Sequence, residues 1–114
     1  MKFVELKDAP SRPNPYGVDA RKLSDTENAL VLHVTVKPGV PMKEHITPAD
    51  VAFYVLEGQG VVQIGEEKQI VKENTLIQSP AGIPHRWINE SNDEIKILVV
   101  KYKNSGLKEA TKIA

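Results

Sequence analysis

Val51-Ala52-Phe53-Tyr54-Val55-Leu56-Glu57-Gly58-Gln59-Gly60-Val61-Val62-Gln63-Ile64-Gly65-Glu66-Glu67-Lys68-Gln69-Ile70-Val71 reads as three short strands separated by two turns. β-Branched and aromatic residues fill the runs, and such side chains fit a pleated surface better than a helix. Gly58-Gln59-Gly60 breaks the first run, and Gly65-Glu66-Glu67 breaks the second. The charged stretch Glu66-Glu67-Lys68 suits the solvated tip of a hairpin.

The same texture extends outward on both sides. Toward the C-terminus, Lys72-Glu73-Asn74 gives way to Thr75-Leu76-Ile77-Gln78, which stops at Ser79-Pro80-Ala81-Gly82. Arg86-Trp87-Ile88 and Ile95-Lys96-Ile97-Leu98-Val99-Val100 flank a turn at Asn89-Glu90-Ser91-Asn92-Asp93. Toward the N-terminus, Ala29-Leu30-Val31-Leu32-His33-Val34-Thr35-Val36 ends at Pro38-Gly39. Before it, Asp8 to Gly17 holds three prolines, and residues that fix φ and lack an N–H donor make an extended arm. Short strands at near-regular spacing predict an all-β sandwich or barrel. The organisation expected is a proline-rich arm and first strand over 1–28, a barrel over 29–104, and a weakly helical tail over 105–114.

The chain has 114 residues, 40% hydrophobic and 26% charged, which suits one folded domain. Fifteen basic residues balance fifteen acidic ones, so there is no cationic excess of the kind that neutralises phosphates, and no nucleic-acid partner is expected. No cysteine is present, which excludes disulfides and thiolate ligands. Charges at Lys2, Glu5, Lys7 and Asp8 interrupt what a signal peptide would need, and no apolar run has membrane-spanning length. A soluble, cytoplasmic protein with no membrane partner is the expectation. Gly58-Gln59-Gly60 lacks the third glycine and following helix of a dinucleotide loop, and no zinc-finger or Ser-His-Asp spacing occurs.

Chemistry is concentrated in His33, His45 and His85. His45 and His85 each sit where a loop feeds a strand, a position from which a side chain enters a barrel mouth. Neutral imidazole is the commonest metal ligand, so a pair in one pocket makes a metal hypothesis. Alternation puts Trp87 on the face of His85, and Phe53 and Val55 on the face of Val51. Which face is interior stays open at this level. His33, on a strand, reads as a hydrogen-bonded structural histidine, and Asp50 as a turn or capping residue.

Two segments carry a resemblance. Pro38-Gly39-x5-His45-x-Thr47, continuing to Phe53-Tyr54-Val55-Leu56-Glu57-Gly58-Gln59-Gly60, resembles the first cupin motif. Asn74 through Pro80-x-Gly82-x2-His85-x3-Asn89 resembles the second. The resemblance spans about residues 38 to 89. It implies a double-stranded antiparallel β-barrel of jelly-roll type, usually a homodimer, with any active site inside the barrel.

The departures bear on chemistry. The first cupin motif usually supplies two histidines and a glutamate, and the second supplies one histidine. Here Thr47 stands for the second histidine and Val51 for the glutamate, leaving His45 and His85 as metal ligands. Asn74 replaces a glycine, an exchange that keeps a left-handed turn available. Two neutral imidazoles leave a divalent cation with its full charge, so the site is weak and open unless an anionic ligand compensates. Zinc, nickel, copper or iron suit it better than magnesium or calcium, and manganese is a further candidate cofactor. Thr47, Val51, Phe53, Gln63 and Trp87 are the candidate pocket residues, with His33, Asp50 and Gln63 weighed as replacement ligands. For an enzyme, the resemblance implies metal-dependent, oxygen-dependent cleavage or isomerisation of a small organic acid, enol or sugar derivative. The alternatives are a non-catalytic small-ligand module, in which His45, His85 and Thr47 only hydrogen-bond the ligand, and a structural dimer whose barrel is filled by Phe53, Val55 and Trp87.

Overall fold

A computed structural model describes residues 1–103; the tail expected over 105–114 lies outside the described residues. A short 3-10 turn at Leu6–Asp8 precedes eight strands: β1 (Asp19–Asp25), β2 (Ala29–Val36), β3 (Val51–Glu57), β4 (Gln59–Ile64), β5 (Glu67–Lys72), β6 (Leu76–Ser79), β7 (His85–Ile88) and β8 (Ile95–Tyr102). All pairings are antiparallel. They form a five-stranded sheet in the order β1-β2-β8-β3-β6 and a three-stranded sheet in the order β5-β4-β7. The fold is therefore the expected all-β jelly roll. The two sheets close by packing their apolar faces together rather than through one continuous ladder.

Strand alternation fixes the inside. Leu32, Val34 and Val36 of β2, Val51, Phe53 and Val55 of β3, and Ile95, Ile97 and Val99 of β8 turn inward and are buried. Val62, Val71 and Trp87 answer them from the smaller sheet. Dense contact among these residues supplies the apolar burial that drives folding.

Turn chemistry sets the strand ends. Asn74, between β5 and β6, has φ 64°, the one positive value among the described non-glycine residues, so asparagine does hold a glycine's turn there. Its Oδ1 accepts a hydrogen bond from the Tyr54 hydroxyl at 3.2 Å, and its N–H donates to the Val55 carbonyl at 2.9 Å. Asn89 is buried and ties two loops together, donating from Nδ2 to the carbonyls of Val36 (2.9 Å) and Asp93 (2.8 Å).

His33 departs from expectation. It lies on the outer face of β2, opposite Arg21 and Leu98, buried but with no hydrogen-bond partner at Nδ1. Arg21 can only donate and Leu98 is apolar, so neither register neighbour offers an acceptor. Burial lowers the His33 pKa, with the Lys96 charge adding to that effect, which keeps the ring neutral.

Candidate functional site

The jelly roll encloses a cavity of about 230 Å³ between its sheets, with the N-terminal arm across one side. Its walls include Leu32, Val34, Phe53 and Val99, and His45 and His85 stand together in it. Backbone geometry brings these two histidines together. The Pro80–Pro84 turn delivers His85 as the first residue of β7, and His45 forms an isolated antiparallel bridge with it. Each N–H donates to the other's carbonyl, at 3.1 and 3.0 Å. Residues paired in this way project side chains to the same face. The two Nε2 atoms accordingly approach to 3.1 Å.

The outer nitrogens set the protonation. His45 Nδ1 lies 3.3 Å from the Lys43 carbonyl, which only accepts, so the proton is on Nδ1 and Nε2 keeps its lone pair. His85 Nδ1 lies 2.8 Å from Ser79 Oγ, a buried hydroxyl that donates or accepts by rotating. When Ser79 donates, His85 carries its proton on Nε2 and donates it to His45. When Ser79 accepts, both Nε2 atoms are unprotonated and stand 3.1 Å apart. Burial, then the charges of His45 and Lys101, push the His85 pKa down to about 4. Burial likewise lowers His45, with Lys101 adding to the effect and the Lys43 carbonyl opposing it. Both rings are neutral at pH 7, the form a metal requires.

Aromatic packing holds the pair in place. Tyr16, from the arm, lies over His45 at 4.2 Å between ring centroids and 31° between planes. Phe53 meets His85 edge to face at 5.3 Å and Trp87 at 5.6 Å. Trp87 is buried and its Nε1–H has no acceptor among the described residues.

Of the residues singled out in the sequence, Val51, Phe53 and Trp87 line the cavity with the histidines. Thr47 does not: its carbonyl accepts from the Gly82 N–H at 2.9 Å, in the loop packing outside the cavity. Gln63 does not either. It pairs in register with Arg86 on the outer face of the smaller sheet and accepts from that guanidinium at 2.8 Å. Asp50 caps the Ala81 N–H at 2.8 Å, and His33 faces outward, so neither replaces a missing ligand. Among the described residues no group of three histidine, cysteine or carboxylate side chains converges. Sequence reading missed Ser79, Tyr16, Arg12 and Lys101. Only Lys101 had a legible signal, because the alternation of Ile95, Ile97 and Val99 continues to it.

Comparison with known proteins places the fold in a family. A family model described as a cupin domain matches residues 32–101. The chain belongs to the cupin family. This cupin is 34% identical over 61 residues to the uncharacterized protein MJ1618 of Methanocaldococcus jannaschii, a match covering 54% of this chain and 48% of that one. The chain thus spans about half the length of the curated relative it matches. Among solved structures, TT1209 of Thermus thermophilus is similar at 32% identity and a TM-score of 0.76, covering 90% of this cupin and 97% of that chain. The polyketide cyclase RemF of Streptomyces resistomycificus has a TM-score of 0.80 at 21% identity, covering 100% of this chain and 87% of its own. At that identity the likeness speaks for the fold alone. No helix among the described residues is long and apolar enough to cross a membrane.

Proposed function

We propose that this cupin holds a divalent transition metal between His45 and His85 and acts on a small organic molecule in the adjoining cavity. The observation that carries this reading is the pair of Nε2 atoms 3.1 Å apart in the cavity, with Nδ1 of each ring bonded to a fixed group behind it. Two metal–nitrogen bonds of about 2.0–2.1 Å close a triangle on that base, so the donor set fits a shared ion. The set is incomplete, because Val51 is apolar and no carboxylate among the described residues lines the cavity. Zinc, nickel, copper and iron are the candidates that imidazole ligands favour, with manganese tested beside them.

A metal there supplies Lewis acidity toward an oxygen of the bound molecule. The chain supplies the rest. Lys43 and Ser79 aim the imidazoles, Tyr16 and Phe53 restrict their rotation, and the apolar walls exclude water and hold the organic body. Polyketide cyclisation by RemF is one chemistry performed on this fold, but fold likeness does not choose among reactions.

Elemental analysis of untagged protein tests the reading. A stoichiometric transition metal, absent from His45→Ala and His85→Ala protein, is the expected result. No metal after reconstitution with zinc, nickel, copper, iron and manganese overturns it. The second reading is a metal-free ligand pocket, favoured by the fact that 3.1 Å is also an ordinary N–H···N hydrogen-bond length.

A further inference from the structure

Besides the histidine pair, two charged side chains line the cavity, and both are cations: Arg12 from the arm and Lys101 from the end of β8. No aspartate or glutamate among the described residues lines it. Lys101 is half-buried, and its ladder neighbours are Leu30 on β2 and Val51 on β3, so neither flanking strand offers it a counter-charge. No ion pair to Lys101 or Arg12 forms among the described residues. Burial and the Arg12 charge both push the Lys101 ammonium below its ordinary pKa. A half-buried cation with no partner costs stability, and proteins keep such groups where a ligand completes them.

The rest of the lining has the opposite character. Leu32, Val34, Phe53, Ile97 and Val99 make an apolar body, and the buried Trp87 Nε1–H is a donor with no acceptor among the described residues. We propose that Lys101 and Arg12 form a carboxylate subsite, and that the natural ligand is a small monocarboxylate with an apolar body. The carboxylate lies against Lys101 and Arg12, the body against Phe53 and Val99, and a polar atom of the ligand reaches the His45–His85 pair. A cavity of about 230 Å³ suits a small organic anion rather than a large one. The anion also offsets the charge that two neutral imidazoles leave on a metal. The proposal rests on the reading that this cavity binds a small molecule, but not on the metal.

Benzoate, benzamide and inorganic phosphate are the probes, titrated against the fluorescence of Trp87, the only tryptophan. Charge-assisted hydrogen bonds are stronger than neutral ones, so benzoate is expected to bind at least about tenfold tighter than benzamide, and phosphate weakly. Lys101→Met should erase the benzoate preference while folding normally, because it removes an unpaired cation. Val51→Glu, which sets a carboxylate opposite Lys101, should erase it as well. Equal affinity for benzoate and benzamide, or a preference that survives Lys101→Met, overturns the subsite. Absence of binding by any probe overturns both the subsite and the ligand cavity. Titration of His45→Ala/His85→Ala protein separates the two readings. A benzoate preference retained there supports Lys101 whatever the metal content. A preference lost there but kept in Lys101→Met assigns the anion to the metal and overturns the proposal.

Discussion

At the scale of single residues, one proton decides what the histidine pair does. His45 is held with its proton on Nδ1 by the Lys43 carbonyl, so its Nε2 always presents a lone pair. His85 is the variable partner, and the Ser79 hydroxyl rotates to suit either tautomer. Without metal, the 3.1 Å contact requires a proton on His85 Nε2; a metal held by both rings would require that proton on Nδ1, donated to Ser79. Long-range ¹H–¹⁵N correlation spectra should show this exchange of protonated and unprotonated ring nitrogens on adding zinc, for His85 and not for His45. Ser79→Ala removes the acceptor behind His85 and should weaken metal binding by about 10- to 100-fold, with little change in the fold. A His85 that keeps one tautomer throughout the titration contradicts the shared-ion geometry.

At the scale of elements, the sequence was most legible where apolar alternation is strong. β2 and β3 match the predicted runs end to end, and β8 extends the run from Ile95 by two residues. A strand within 1–28 was expected without bounds, because Asp19–Asp25 is rich in charge and shows no clean alternation. His45 and His85 were legible from their loops, but their partnership depends on a backbone bridge between segments forty positions apart, which no local pattern reveals. Lys101 follows the inward rhythm of β8, yet lysine is so rarely turned inward that alternation alone is a weak guide. Arg12 and Tyr16 reach the cavity through the path of the arm, which only tertiary packing settles. Gly58, between β3 and β4, has φ 90°, and a Cβ added there would lie 2.5 Å from the Glu94 carbonyl oxygen. Gly58→Ala is therefore expected to destabilise the protein by about 1–3 kcal/mol, through both strain and contact with backbone. Urea unfolding would show it as a lower midpoint with an unchanged slope.

At the scale of the whole molecule, the buried histidines tie global stability to pH. The folded pKa of His85 is about 4, below the ordinary value of 6.5 that it regains on unfolding. Between those values the unfolded chain takes up a proton that the folded chain refuses, so stability rises with pH across that window. The contribution is fully present above about pH 6.5 and is lost as pH falls toward 4; a shift of this size corresponds to about 3 kcal/mol. His45 and His33 are shifted in the same direction. Urea unfolding of metal-stripped protein from pH 7.5 to 4.5 should show this decline, and His85→Gln should flatten it. Parallel pH profiles for the two proteins would place the dependence in other groups.

The arm that closes the cavity also sets the time at which the cavity exists. Arg12 and Tyr16 leave the ribosome before any of the eight strands, pinned later to β1 through the bond from the Arg12 N–H to the Ala20 carbonyl at 2.7 Å. Lys101 and Val99, which line the same cavity, belong to the last strand described, and β8 also joins β2 to β3 in the larger sheet. A nascent chain thus lacks part of the cavity's lining until the last of these strands has been made. The cavity is a property only of the finished fold, and a chain cut short before β8 has lost Lys101 and Val99 together with the centre of its sheet.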